Sequence, residues 1–214
     1  TLLGVGAGFP PLSAQQPAAQ EAAASRPASP ARAALARANA CMQQKDLAGA
    51  RTAVVAAIES DPDLLEAHDL LLKVVNDLGR QTRERAAELT TELEKQYETW
   101  SAQHPDSYGV AYGRGSLLYA HEDPRAKPFL LAAIAKDTKL AKVYQMLAID
   151  AERWGDEAGA REYLRQATVA DPASPDYAFY YASSFQHVDP KRWVEASLAV
   201  AERYPTSERG AQAL

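Results

Sequence analysis

Apolar residues recur along the chain at helical spacing from Ala31 onward. The segment "ARAALARANACMQQ" places Leu35, Ala38 and Met42 on one face, and "LAGARTAVVAAIES" does the same after the Lys45-Asp46 turn. Asp61-Pro62 ends this pair, because proline cannot continue a helix. The same reading predicts helices over Leu64–Leu78, Thr82–Gln103, Tyr108–Ala120, Arg125–Lys136, Lys139–Arg153, Glu157–Ala170, Tyr177–Gln186 and Arg192–Arg203. The breaks between them are short and turn-like: "GRQ", "HEDP", "WGD" and "HVDPK". β-branched runs of strand length are missing and alanine is dense, so the pattern is that of an all-α chain of about five antiparallel helix hairpins.

The hairpins repeat. Ala126, Leu130, Ala133 and Asp137 lie 34 residues before Ala160, Leu164, Ala167 and Asp171. The first hairpin carries the same set as Ala50, Val54, Ala57 and Asp61-Pro62. "HPDS" at 104–107 and "YPTS" at 204–207 each close a second helix with a serine placed to cap the next one. Within "WGDEAGAREYLRQATVADP", Gly155-Asp156 makes a tight reversal. Ala148 and Ala160 are small enough for the two helix backbones to approach. A hairpin of this kind cannot bury its apolar face alone, whereas a stack of them builds a continuous core.

With Tyr144, Leu147, Ala148, Ala151, Ala160, Leu164, Ala167 and Pro172 at these spacings, the chain resembles the tetratricopeptide repeat family. Ala38, Cys41, Ala50, Val54, Ala57 and Pro62 fit the same spacing in the first hairpin. The resemblance covers about Ala31 to Leu214 and implies an α-α superhelix, or solenoid. The second hairpin departs from it through its long second helix. The third departs through a first helix about one residue out of register. The style of the "YPTS" boundary is similar to repeats of bacterial envelope proteins.

The resemblance also implies a concave groove lined by the first helix of each pair. Counting from Tyr144, the groove positions are Gln145, Ile149 and Glu152. The 34-residue period adds Phe179, Ser183 and Gln186. The first hairpin adds Leu35, Asn39 and Met42, and the third adds Ala111, Gly115 and Leu118 or near neighbours. "DYAFYYASSFQH" is aromatic, and an exposed ring there, Phe179 in particular, is a candidate peptide anchor. The lysine and asparagine arrangement with which some family members clamp a C-terminal carboxylate is not evident.

Composition narrows the function. The 214 residues are 47% hydrophobic and 24% charged, with a formal net charge of −5. Phosphate recognition needs a basic face, so nucleic acid is not an expected partner. No apolar run is long enough for a membrane span. The single cysteine, Cys41, excludes an intrachain disulfide and reads as a small packed residue. His68, His104, His121 and His187 have no helical-spaced His or Cys companion. His121-Glu122-Asp123 and His187-Val188-Asp189 fit turn and helix-start chemistry better than metal ligation. "GVGAG" follows no strand, and no serine sits in a nucleophile elbow. No cofactor, metal or enzyme activity is expected.

The N-terminal "TLLGVGAGFPPLSAQQPAAQ" resembles the tail of a secretory signal, with Leu12-Ser13-Ala14 before a cut at Gln15. Residues 1–30 are thus expected to be a partial signal and a flexible Ala/Pro/Gln-rich linker, and 31–214 a repeat domain of an exported protein of the periplasm or cell envelope; the alternative is an alanine-rich leader on a cytoplasmic protein. The expected function is a scaffold that binds a peptide or partner protein. Because "SERGAQAL" opens a further helix without a polar capping helix, two alternatives stand. One is an accessory module of a longer enzyme with a C-terminal thioredoxin-like or peptidase domain. The other is an assembly subunit that docks through that end.

Overall fold

A computed structural model describes residues 29–80 and 83–213. The expected signal and most of the linker lie outside them. Eleven helices are found among the described residues, and no strand: α1 Pro30–Gln43, α2 Leu47–Ser60, α3 Leu65–Gly79, α4 Arg83–Gln103, α5 Tyr108–Ala120, α6 Ala126–Lys136, α7 Ala141–Arg153, α8 Glu157–Ala170, α9 Pro175–Ser183, α10 Pro190–Arg203 and α11 Glu208–Gln212. The first ten pair into five hairpins, α1–α2 through α9–α10. They belong to two compact units that divide between Lys136 and Asp137.

Local chemistry sets the starts. The Asp46 carboxylate accepts from the Gly49 N–H at 2.9 Å, and Asp156 accepts from the Gly159 N–H at 2.8 Å. The Ser107 and Ser207 hydroxyls each accept at 2.9 Å, from the N–H groups of Val110 and Gly210. Each bond satisfies one of the donors a helix start leaves open. α9 starts two residues before the expected Tyr177 because Pro175 takes the first helical position after Ser174, and α10 starts at Pro190 for the same reason.

Three hairpins close by one turn. In each, the second residue after the first helix has a left-handed backbone: Lys45 (φ 60°), Glu122 (φ 56°) and Gly155 (φ 75°). The next residue donates its N–H five positions back: Asp46 to the Cys41 carbonyl, Asp123 to Leu118 and Asp156 to Ala151, at 2.9 to 3.0 Å. The left-handed residue itself donates three positions back, Lys45 to Met42, Glu122 to Tyr119 and Gly155 to Glu152, at 3.0 to 3.1 Å, and this pair of bonds satisfies carbonyls at the helix end. Five residues separate Lys45 from Ala50 and Gly155 from Ala160, but only four separate Glu122 from Ala126. The third hairpin is therefore one residue short in its turn. Gly115 takes the close-approach position that the 34-residue period assigns to Arg114, and a Cβ on Gly115 would press on the Leu130 side chain of α6.

In the first unit the core runs through Val54, Ile58, Leu71, Leu89, Tyr97 and Trp100, all at most 1% exposed. Aromatic side chains bury about 150–250 Å² each, so Tyr97 and Trp100 dominate this core. In the second unit Ala148 and Ala160, 1% and 2% exposed, are buried within the α7–α8 hairpin, with Leu147, Leu164 and Ala167 about them. A smaller cluster of Ala178, Ala182 and Val200 joins α9 to α10.

Candidate peptide-binding groove

In the second unit, α7 presents Gln145, Ile149 and Glu152 along one face, and α9 presents Phe179 and Ser183. The one-turn spacing of Gln145, Ile149 and Glu152 brings them onto a single recess of about 390 Å³, which Ser183, Tyr180 and Leu164 complete. Ile149 is 41% exposed, so it is spent on no core. A neighbouring recess of about 320 Å³ shares Glu152 and Ser183 and adds Arg161 and His187. The Arg161 guanidinium donates to the Ser184 carbonyl at 3.1 Å, which holds a positive charge at the rim near the Glu152 carboxylate. The surface offers an apolar patch, a neutral amide, hydroxyls, and the charges of Glu152, Glu157 and Arg161.

Two of the expected groove residues, Gln186 and Phe179, lie apart from this recess. Gln186 lies in the turn after α9, because the helix ends at Ser183, and the Phe185 carbonyl accepts from Val188 and Asp189 at 3.1 and 2.9 Å. Phe179 is not an open ring. The Arg209 guanidinium lies 5.0 Å from its centroid and 5.2 Å from that of Tyr180, held by the Asp176 carboxylate at 2.7 Å and the Tyr180 hydroxyl at 3.0 Å. Phe185 is buried and lies under Arg192 at 4.4 Å. Phe179, Tyr180 and Phe185 of the aromatic run are thus each occupied by an arginine. Phe179, Ser183 and Gln186 instead line a different recess, between α9, α10 and α11.

Asn39 is exposed, but its amide donates to the Leu35 carbonyl of its own helix at 3.1 Å. Leu35 and Met42 are half-buried. Gly115 and Leu118 are buried and Ala111 is half-buried, since the shortened turn of the third hairpin rotates them inward. Cys41 is half-buried rather than a core residue.

The sequence reading missed one polar cluster. His68 is fully buried, with Nε2 2.9 Å from the Pro62 carbonyl and Nδ1 3.1 Å from the Tyr97 hydroxyl. A carbonyl only accepts, so Nε2 carries the proton and Tyr97 donates to Nδ1. Burial pushes the His68 pKa below its ordinary value, against the opposing pull of the Pro62 carbonyl and of Asp69, Asp63 and Asp61. Burial also pushes the Tyr97 hydroxyl well above its ordinary range. Gly113 of α5 closes over the pair, and a Cβ there would collide with both polar atoms. Tyr112 donates to the Asp69 carboxylate beside it. Enclosed in this way, the cluster joins α3, α4 and α5 and has no opening for a substrate. Residues 29 apart in sequence give no local signal of such a bond. Among the described residues no three His, Cys, Asp or Glu side chains gather as a metal set, and no helix is long and apolar enough to cross a membrane.

No family model matches the chain, and no curated protein matches it. Solved structures do. The MamA protein superposes with a TM-score of 0.56 at 17% identity, covering 84% of this chain and 96% of that one. YrrB, described as a TPR protein with an unusual peptide-binding site, gives a TM-score of 0.52 at 17% identity, over 82% and 87% of the two chains. A thermophilic TPR protein of Thermus thermophilus, TTC0263, gives 0.51 at 18% identity, over 86% and 98%. With its five helix hairpins, the chain has the fold of the tetratricopeptide repeat proteins, an α-α superhelix.

Proposed function

We propose that the chain is a protein-interaction scaffold that takes up a peptide segment across α7 and α9. The observation that carries this reading is the convergence of Gln145, Ile149, Glu152 and Ser183 on one recess, with Ile149 left half out of any core. Apolar pockets with a few placed polar groups are the usual composition of such sites. The peptide-binding site named for YrrB, on the same fold, supports the reading. A bound segment would set an apolar side chain on Ile149 and Leu164. It would pair a backbone or side-chain donor with Glu152, and exchange hydrogen bonds with Gln145 and Ser183.

The test is selection of a random peptide library on the 214-residue protein, followed by titration of an enriched sequence. Ile149→Glu is expected to weaken binding about tenfold or more while the thermal midpoint stays unchanged, because the side chain is an interface anchor and not core. Enriched peptides that bind Ile149→Glu as well as the parent, or no enrichment at all, overturn the proposal. An exported location is part of the same proposal and rests on the signal-like Leu12-Ser13-Ala14. N-terminal sequencing of the mature protein is expected to begin at Gln15.

A further inference from the structure

The recess across α7 and α9 runs on into its neighbour at the α7–α8 turn, since Glu152, Ser183 and Ser184 line both. The two parts differ in chemistry. Ile149 and Leu164 make the first apolar. Glu152 and Glu157 bring two carboxylates to the second, together with Arg161 and His187. The Arg161 guanidinium is engaged within the fold: it donates to the Ser184 carbonyl at 3.1 Å and lies 6.0 Å from the centroid of the Phe185 ring. The carboxylates are not. Among the described residues neither Glu152 nor Glu157 is in an ion pair, whereas Glu162 and Asp176 of the same unit each hold an arginine at 2.7 Å. Glu157 opens α8, where a helix favours negative charge. Glu152 stands in the last turn of α7, where a helix disfavours it, so this carboxylate works against its own element. Between the two, Gly155 lines the recess, and the adjacent Trp154 is 72% exposed. The face of an indole attracts cations.

We infer that the segment bound here carries a lysine or arginine beside its apolar anchor, and that Glu152 and Glu157 select it. This rests on the peptide-binding reading of the same recess and names the class of peptide that the recess takes. Along α7, Ile149 and Glu152 are three residues apart, an axial step of about 4.5 Å. An extended segment advances about 3.3 Å per residue, so a side chain two or three positions from one seated on Ile149 and Leu164 enters the part lined by the carboxylates. A basic side chain there gains two opposite charges. An acidic one meets two like charges, with the nearby Arg161 already held by a carbonyl. Selection thus comes from repulsion as well as attraction.

The test pans random peptide libraries of about 12 residues, matched in apolar content, on the 214-residue protein. One has lysine as its only charged residue, one has glutamate, and one has neither. The lysine library is expected to enrich, with leucine or isoleucine two or three positions from the lysine. Its best peptide is expected to bind Glu152→Gln/Glu157→Gln about fivefold more weakly than the parent. Glu84→Gln/Glu88→Gln removes two charges from the exposed face of α4 and is expected to leave binding unchanged, with thermal midpoints matched throughout. Equal enrichment of all three libraries, with binding lost in Ile149→Glu, retains the peptide site and overturns the charge selection. A preference for glutamate peptides overturns it as well, and so does an equal loss in both double variants, which would reduce the effect to net charge. No enrichment from any library overturns the peptide-binding reading itself, and this inference with it.

Discussion

His68 shows at the scale of one residue how position outweighs residue type. Four histidines look alike in sequence, yet His68 is sealed between a carbonyl and a phenol while His121 and His187 are exposed in turns. Its neutral form is the one the fold accommodates. Because its folded-state pKa lies below the ordinary value of about 6.5, the unfolded chain takes up the proton first as pH falls. The stability that His68 contributes is therefore complete above that value and is lost as pH drops below it. The Pro62 carbonyl and the carboxylates of Asp69, Asp63 and Asp61 reduce the loss without reversing it, since burial is the larger effect. The thermal midpoint of the parent is expected to fall more steeply between about pH 7 and pH 5 than that of His68→Gln. Parallel curves would assign the acid sensitivity elsewhere.

At the scale of the element, the hairpin turn is the unit that the sequence discloses least directly. Lys45 and Glu122 stand where Gly155 stands in the fourth hairpin, with the same left-handed backbone and the same pair of hydrogen bonds. A side chain in that region costs about 1–2 kcal/mol. Lys45→Gly and Glu122→Gly are each expected to raise stability by about 1 kcal/mol, read as a shift in urea midpoint. Gly155→Ala is expected to lower it by a similar amount, although a Cβ there meets nothing. An unchanged midpoint in all three would remove the turn from the account.

The same turns explain what could be read beforehand. Ala50, Ala126 and Ala160 mark the second helices, and all three are buried as the period demands. The period is blind to a missing turn residue. It therefore placed Ala111, Gly115 and Leu118 in the groove, where Gly115 meets Leu130 instead. Boundaries at proline were legible but shifted. Pro175 and Pro190 are first helical residues and not the breaks before them. The end of α9 was not legible, because the apolar Phe185 that would extend the helix is folded under Arg192 in the turn. In the candidate groove, Gln145, Ile149 and Glu152 followed from helical spacing alone. The loss of Phe179 depended on Arg209, 30 residues away, which no local pattern connects to it.

On the scale of the whole molecule, apolar burial is unevenly shared. The first unit buries Trp100, Tyr97 and a run of large aliphatics, whereas α9 and α10 are joined by Ala178, Ala182 and Val200. In a repeat protein stability is close to a sum of hairpin and neighbour contributions, so opening starts where burial is least. Hydrogen exchange is expected to be fastest in α10 and α11 and slowest in α3, α4 and α5 around His68. Uniform protection across all of these helices would show that the chain unfolds as one cooperative body. The three tryptophans provide a further readout of this asymmetry. Trp100 is 1% exposed in the first unit, while Trp154 is 72% exposed and Trp193 half-buried in the second. The short-wavelength side of the intrinsic emission therefore belongs to one half of the protein and the long-wavelength side to the other. Each half carries its own optical label, and a colour-resolved unfolding curve can follow the two without any added dye.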